Sequence, residues 1–406
     1  MKCKLLVLVT IILNSIYAQS QDYAIKLNLD TAIEMALHNG AEMRIAILDV
    51  EKALMDKKSN NSLGLPSVSL YSNFNHYYAI PKMIVPGEIF NKEGNIPVEF
   101  GTKFDWNSGL KFNQLIYSYS FRKSKEIMDN LVSLSRRSME LQRDEVIYSV
   151  SSLYYHISTL NGQMAQIDSA ISNLERVYML SIELSKQGVV RRVDADRVKI
   201  EINRLLLSKG DLADVNLSNI ALLKALCGVD SSIEIEINSI DNLVAFNSVS
   251  MDNEFSQNLD LNSHQIEILK LQREITSLNY KEQKNGFMPT ISFFGQHYYQ
   301  SQTNKLDFFS KDGADFYKSG VIGLSVNIPL FDGFLKRDRA KSYLIEGKKI
   351  ESILQREKML LDSKRANSIN ILDNRIQHLI KAKESVDISD RVYLSNLEGY
   401  REQTVS

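Results

Sequence analysis

The chain has 406 residues, enough for two or three domains, and its 44% hydrophobic and 24% charged residues are ordinary for a folded protein. Its 48 Lys and Arg residues are balanced by 49 Asp and Glu, which argues against a basic surface for nucleic acid. The chain has two cysteines and six histidines without a close metal-binding pair, and it contains no phosphate-binding glycine loop and no GxSxG motif. We therefore predict no metal site, no cofactor and no enzymatic activity.

The N-terminal segment has the three parts of a secretory signal. Lys2 and Lys4 precede an apolar run over residues 5–13, and residues 18–20 offer a cleavage site of small side chains. The run is shorter than the ~18–20 residues that a membrane-spanning helix needs. We therefore predict that residues 1–20 are a signal peptide and that the mature protein is exported.

Proline and aromatic residues divide the rest of the chain into two kinds of segment. Proline is missing between residues 98 and 288 and after 329, and these tracts can hold long helices because proline costs about 3 kcal/mol inside a helix. Most aromatic residues lie instead in 66–121 and 287–334, which favours strands there.

Within these aromatic windows, apolar and polar residues alternate with a period of two. Val68 and Leu70 alternate with Ser67 and Ser69, and the same pattern recurs around residues 104–113 and 322–328. Strands that are apolar on one face and polar on the other suit a transmembrane barrel. They equally suit a soluble sheet with one face in water, so the alternation leaves both alternatives open.

The first proline-free tract carries a heptad repeat. Ten apolar residues recur at alternating spacings of four and three: Val146, Val150, Leu153, Ile157, Leu160, Met164, Ile167, Ile171, Leu174 and Tyr178. Such a sustained seam predicts coiled-coil packing. If 121–187 is one helix, it is roughly 100 Å long at ~1.5 Å per residue, a length that suits a conduit or spacer.

Three blocks of sequence indicate an internal duplication. Residues 65–69 match 288–292, residues 109–113 match 323–327, and residues 176–178 match 391–393. Each half is predicted to contain a helix, a strand, a loop, a strand and a long helix. A first repeat then covers 21–228, a linker 229–255, and a second repeat 256–406, which we expect to be truncated before a counterpart of helix 194–227.

With these features together, the sequence resembles the TolC-like outer-membrane efflux protein family across nearly the whole mature chain. Residues 29–37 resemble the family's opening helix, with Thr31 and Glu34 placed as a capping box. The chain departs from the family at Gly40, where proline is usual.

The junctions between helices and strands also carry the resemblance. Residues 65–68 and 288–291 resemble the family's helix-to-strand junctions, and residues 327–333 resemble the strand-to-helix junction of its second repeat. In the last segment, Pro329 prevents further strand pairing and Gly333 permits the turn before the next helix.

The resemblance implies an α+β membrane protein, a homotrimer in which each chain gives four strands to one twelve-stranded β-barrel. A long α-helical coiled-coil tunnel would continue the barrel through the periplasm. The implied strands lie near residues 66–78, 104–117, 289–300 and 318–329, with extracellular loops at 79–103 and 301–317. Residues 229–255 would form an equatorial belt, where alternating Ile233, Ile235 and Ile237 suggest a short strand.

The candidate functional residues lie in the turn between the two long helices of the first repeat. They are Gly188, Val189, Val190, Arg191, Arg192, Val193 and Asp194. Gly188 can take the positive φ that ends a helix, and Asp194 can cap the next helix. A good helical turn would explain both residues by itself. The resemblance adds that this tip docks a periplasmic adaptor, although Arg191 and Arg192 replace apolar or small residues.

A second tip is implied at the end of the second repeat. Gln403 stands where the family has glycine, Thr404 follows it, and Tyr400 occupies the place of a latch partner for the aspartate of the first tip.

The resemblance implies an outer-membrane exit duct of a tripartite efflux or type I secretion system, in contact with outer-membrane lipid. Its partners would be a periplasmic adaptor (membrane-fusion) protein and an inner-membrane transporter. The alternative interpretation is a secreted coiled-coil scaffold or adhesin with a soluble β-domain.

Overall fold

The computed structural model describes residues 25–91, 93–237, 263–306, 308 and 315–401. The helices are α1 (Leu29–Asn39), α2 (Ala41–Ser62), α3 (Tyr119–Lys186), α4 (Arg192–Cys227), α5 (His264–Lys284) and α6 (Leu335–Arg401). The strands are β1 (Ile25–Lys26), β2 (Ser67–His76), β3 (Lys82–Pro86), β4 (Asn95–Glu99), β5 (Phe104–Tyr117), β6 (Ile235–Glu236), β7 (Thr290–Thr303) and β8 (Tyr317–Asn327). The predicted signal peptide lies outside the described residues.

The chain divides into two compact units. The first comprises residues up to Ser59 together with Leu131–Gln265, and the second comprises Asn60–Asn130 and the residues from Ile266 onward. This division differs from the predicted repeats because strands of both halves pair in one sheet. The repeat boundaries at 228 and 255 stay a prediction. None of the helices in the described part of the chain combines the length and apolarity needed to cross a bilayer.

The first unit is built on helix packing. Helix α3 runs without a break over 68 residues, so the prediction of one long helix is confirmed. All ten seam residues are buried or half-buried. The hydrophobic core of the first unit consists of Leu27, Ala32, Ala36, Val146, Val150, Ile157, Leu223, Cys227, Ile235 and Ile237. Ala32 and Ala36 are fully buried, and their small side chains let α1 approach its neighbours closely.

The N-terminus of α1 corrects one prediction. The capping box joins Asn28 and Thr31, with the Thr31 amide donating to Asn28 Oδ1 at 2.8 Å and the Asn28 amide donating to Thr31 Oγ1 at 3.1 Å. The predicted pair of Thr31 and Glu34 is therefore wrong, because the helix begins at Leu29 and Thr31 already occupies its third position.

Short strands and two asparagines close the core of the first unit. β1 and β6 pair in parallel, so the expected strand among Ile233, Ile235 and Ile237 forms at Ile235. Residues 238–255 of the predicted belt lie outside the described residues. Asn216 Nδ2 donates to Asn161 Oδ1 at 2.9 Å, and Asn161 Nδ2 donates to the Ile237 carbonyl at 2.9 Å.

Cys227 ends α4 inside this core and supports a chemical prediction. Burial raises the pKa of its thiol from 9.0 to about 11, because the thiolate would lose its hydration. We expect the native thiol to resist alkylation by N-ethylmaleimide at pH 8 and to react on denaturation. The thiol's contribution to stability is complete below pH 9 and is lost as the pH rises through 11. Rapid native labelling would contradict this packing.

The main sheet of the second unit is antiparallel and has the strand order β2-β5-β7-β8. The four predicted strands are all present, and their ends lie within three residues of the predicted ends. The helix-to-strand junctions at Pro66 and Pro289 each fall directly before a strand, as the sequence predicts.

The segment predicted as the loop 79–103 is more regular than expected. β3 and β4 form a separate antiparallel hairpin, joined by a short 3-10 turn over Gly87–Phe90. Pro86 and Pro97 lie in its strands, which a two-stranded ribbon tolerates because each strand has one unpaired side. The second predicted loop is shorter than 301–317, because β7 continues to Thr303.

The main sheet has two chemically different faces. One face, called the apolar face, carries Val68, Leu70, Phe74, Phe104, Trp106, Leu110, Phe112, Ile291, Phe293, Ile322, Leu324 and Val326, with a few polar residues such as Ser72, Ser108, His297 and Lys318. The other, called the polar face, carries Ser67, Ser69, Tyr71, Asn73, Asn75, Asp105, Asn107, Lys111, Asn113, Ser292, Gln296, Tyr298, Gln300, Gln302, Ser319 and Ser325, with a few apolar residues such as Phe294 and Val321. Strict alternation and the observed register place these side chains on opposite sides.

Candidate functional site

The candidate tip is the turn that joins α3 to α4. The Val189 amide donates to the Leu184 carbonyl at 3.0 Å, and the Gly188 amide donates to the Ser185 carbonyl at 3.1 Å. Together with the φ of +76° at Gly188, these two bonds form a Schellman motif that ends α3. The predicted helix-terminating role of Gly188 is confirmed.

The predicted capping role of Asp194 is wrong. Helix α4 begins at Arg192 and its N-cap is Arg191, which makes no side-chain cap bond. Asp194 lies inside the first turn, where its carboxylate is favoured by the unpaired amides at the positive end of the helix dipole. It also accepts from Arg191 at 3.2 Å and from Arg197 at 3.2 Å.

The tip presents apolar and cationic groups together. Val189 is 68% exposed and Val193 is 58% exposed, while Val190 is half-buried. The side chains of Arg191 and Arg192 are also largely exposed, and Arg192 pairs with Asp196 at 3.5 Å. Exposed valines beside arginines with free donors form a surface suited to binding another protein.

Two side-chain contacts that the sequence did not predict join the two helices of this hairpin. Lys199 Nζ lies 5.7 Å from the centre of the Tyr178 ring, and Lys209 Nζ lies 2.6 Å from Asp168 Oδ1. Both contacts join residues far apart in the chain, and only the register between α3 and α4 brings them together. The ion pair of Arg197 with Asp194 has a local spacing of three residues, which the sequence could have revealed.

The second predicted tip is described only in part. Tyr400 belongs to the last turn of α6, and Gln403 and Thr404 lie outside the described residues. The latch between Tyr400 and the first tip stays a prediction. In the part of the chain that the structure describes, His, Cys, Asp and Glu residues form no cluster of three or more that could hold a metal ion.

The sheet provides a second candidate surface. On its polar face, side chains bond across strands: Asn73 Nδ2 donates to Asn107 Oδ1 at 3.2 Å, and Gln296 Nε2 donates to Tyr71 Oη. These bonds leave the face hydrophilic while stiffening it. The apolar face is largely exposed in the single chain, with Ile322 at 78% and Leu70 at 76%.

Aromatic residues cluster at one end of the apolar face, the end nearest the β2–β5 and β7–β8 connections. Phe308 packs edge-to-face on Phe74 and on Trp106, and Phe316 packs edge-to-face on Trp106. Trp106 Nε1 also donates to Ser72 Oγ at 2.9 Å. The cluster combines large apolar rings with a satisfied polar group.

Comparison with solved structures places this fold among known channels, while no protein-family model and no curated protein sequence matches the chain. CmeC, the outer membrane channel of Campylobacter jejuni, has a TM-score of 0.72 and 16% identity, over 93% of this chain and 77% of that one. The outer membrane protein VceC of Vibrio cholerae has a TM-score of 0.71 and 13% identity, over 93% of this chain and 87% of that one. CusC has a TM-score of 0.71 and 13% identity, over 96% of this chain and 87% of that one. The chain therefore has the fold of the TolC-like outer-membrane channels, as the sequence resemblance predicts.

Proposed function

We propose that this protein is the outer-membrane exit duct of a tripartite efflux or type I secretion system, working as a homotrimer. The observation that carries the proposal is the four-stranded sheet, which has one exposed apolar face, one polar face and two open edges. Lipid would cover the apolar face, and the polar face would line the passage.

The edges of the sheet support the trimer. β2 and β8 each have a single neighbour in the main sheet, and both carry exposed apolar residues such as Leu70 and Ile322. Open apolar edges of this kind aggregate unless another strand covers them. Pairing of β8 in one copy with β2 in the next closes a twelve-stranded cylinder from three copies, which removes every edge.

The aromatic cluster supports placement in a membrane. Transmembrane barrels carry belts of aromatic residues where their apolar band meets water. Phe74, Trp106 and Phe308 lie at the connection end of the apolar face and fit the outer belt. A secreted scaffold with a soluble β-domain would have no reason to expose the remaining apolar face to water.

The helices of the first unit would lie in the periplasm, and the turn between α3 and α4 would face the partner proteins. The exposed valines and arginines at residues 189–193 would contact a periplasmic adaptor protein, which links the duct to an inner-membrane transporter. The duct itself would catalyse no reaction, since the transporter supplies the energy and cargo passes through the duct. Tyr400, Gln403 and Thr404 would belong to the second contact of the same kind.

The tip can be tested by changing its apolar residues. We expect the double substitution Val189→Asp and Val193→Asp to reduce export by at least about tenfold, because buried carboxylates without partners oppose docking. The measurement is restoration of drug resistance or protein secretion in host cells that lack the gene. Trimer yield should not change, because both side chains are exposed.

The matched control keeps the tip apolar. Val189→Ile and Val193→Ile should restore export as well as the parent chain does. Full restoration by the Asp variant would argue against docking at this tip, and a loss of trimer would assign the valines a role in assembly instead.

A further inference from the structure

Two adjacent rows of amide and carboxylate side chains cross the polar face near the connection end of the sheet. In the strand register, Asn75, Asp105 and Gln302 form one row across β2, β5 and β7. Asn73, Asn107 and Gln300 form the next row. The two rows together hold five carboxamides and one carboxylate.

Asp105 is only 8% exposed, which is unusual for a carboxylate on a polar surface. Its Oδ2 accepts from Asn75 Nδ2 at 3.2 Å and from Asn107 Nδ2 at 3.4 Å. Its Oδ1 is buried and has no hydrogen-bond partner in the described part of the chain. Because a buried charge is costly without a partner, the free Oδ1 points to a ligand that brings a positive charge or donors.

The distribution of charge on this face is uneven. Among the residues of the four strands, Asp105 and Lys111 are the only charged side chains on the polar face. They lie six residues apart on β5, which is about 20 Å along a strand. Lys103 directly precedes β5 and, by the alternation of the chain, lies on the same side as Asp105. Its side chain is exposed, and no ion pair joins it to Asp105 among the described residues. Within the four strands, the polar face therefore provides no cation beside Asp105.

We propose that Asp105 is a cation-binding and selectivity-determining residue of the duct, an inference that rests on the proposed function. In a trimer, three copies of Asp105 form a ring of carboxylates near the outer end of the passage. Rings of acidic side chains favour cations in channels. Asn75 and Gln302 flank Asp105 in the strand register. Their amide oxygens can accept from an ammonium group, so the ring suits inorganic cations and the protonated amines of cargo alike.

The test measures the ion selectivity of the purified chain in a planar lipid bilayer. A potassium chloride gradient gives the permeability ratio of potassium to chloride from the reversal potential. We expect Asp105→Asn to lower this ratio by about twofold or more, and Lys111→Gln to raise it. Asp105→Asn suits the test because an amide keeps the acceptor for Asn75 and Asn107.

A matched control and a second probe sharpen the result. Asp338→Asn removes the same charge from α6, where Asp338 pairs with Arg337 at the surface, and should leave the ratio unchanged. Spermidine, added on the side of the strand connections, separates the two kinds of cation. If spermidine blocks the current of the Asp105→Asn channel at least about fivefold more weakly than that of the parent channel, the ring binds amines. If the block by spermidine is unchanged while the permeability ratio is lowered, the ring acts on inorganic ions.

The outcomes separate this inference from the proposed function. A normal conductance with the same permeability ratio in the parent chain and in Asp105→Asn overturns the role of Asp105 and leaves the duct intact. If the parent chain forms no channel in lipid, both the duct and this inference are wrong.

Discussion

Replacing Ile322 with arginine is expected to abolish recovery of the protein as an outer-membrane trimer. Ile322 is central in β8, lies on the apolar face opposite Gly295, and is 78% exposed in the single chain. An arginine on the lipid face costs about 2–4 kcal/mol at the middle of a bilayer, and a trimer incurs this cost three times. Outer-membrane fractionation followed by size analysis in detergent measures the effect.

The control lies three residues away on the opposite face. Ser325 is exposed, pairs with Ser292 and belongs to the polar face, so Ser325→Arg should assemble normally. If the sheet instead belonged to a soluble protein, with its apolar face packed against other protein, the Ile322→Arg variant would aggregate in the periplasm. Equal assembly of both arginine variants would mean that the apolar face does not contact lipid.

Replacing Gly228 with alanine is expected to lower the free energy of unfolding of the first unit by about 2–4 kcal/mol. Gly228 ends α4 with a φ of +65°, a conformation that disfavours side chains. A Cβ atom there would also lie 2.4 Å from the Asn39 carbonyl oxygen, so the end of α1 would have to move. Urea unfolding followed by far-UV circular dichroism measures the loss.

The same substitution at Gly188 distinguishes the backbone penalty from the steric contact with Asn39. The φ of +76° at Gly188 imposes a similar backbone penalty, but a Cβ atom there would meet open space. Gly188→Ala should therefore cost only ~1–2 kcal/mol. If the two alanine variants are equally stable, the close contact between Gly228 and Asn39 is not rigid, and the backbone penalty alone explains the data.

The sequence predicted the elements whose signals repeat along the chain. The heptad seam from Val146 to Tyr178 specified one long helix, because ten apolar residues with a consistent period outweigh any single propensity. The alternation around Val68 and Ile322 specified two-faced strands for the same reason. Gly188 was also predictable, since few residues other than glycine tolerate its conformation.

Features that depend on one or two residues, or on pairing between distant segments, were predicted less well. The caps at Asn28 and Arg191 shifted each helix start by two or three residues, which changed the partners of Thr31 and Asp194. The hairpin of β3 and β4 was missed because prolines suggested an irregular loop. The environment of Asp105 could not be predicted, because Asn75 is 30 residues away and faces it only through the strand register.

Fractionation of the expressed chain, with residues 1–20 intact, tests the central claim most directly. The membrane fraction is extracted with detergent, and light scattering gives the mass of the particle. The duct predicts a protein that leaves the outer membrane only with detergent and has the mass of three chains. A soluble helical monomer in the periplasm or the medium would contradict the duct and favour a secreted scaffold.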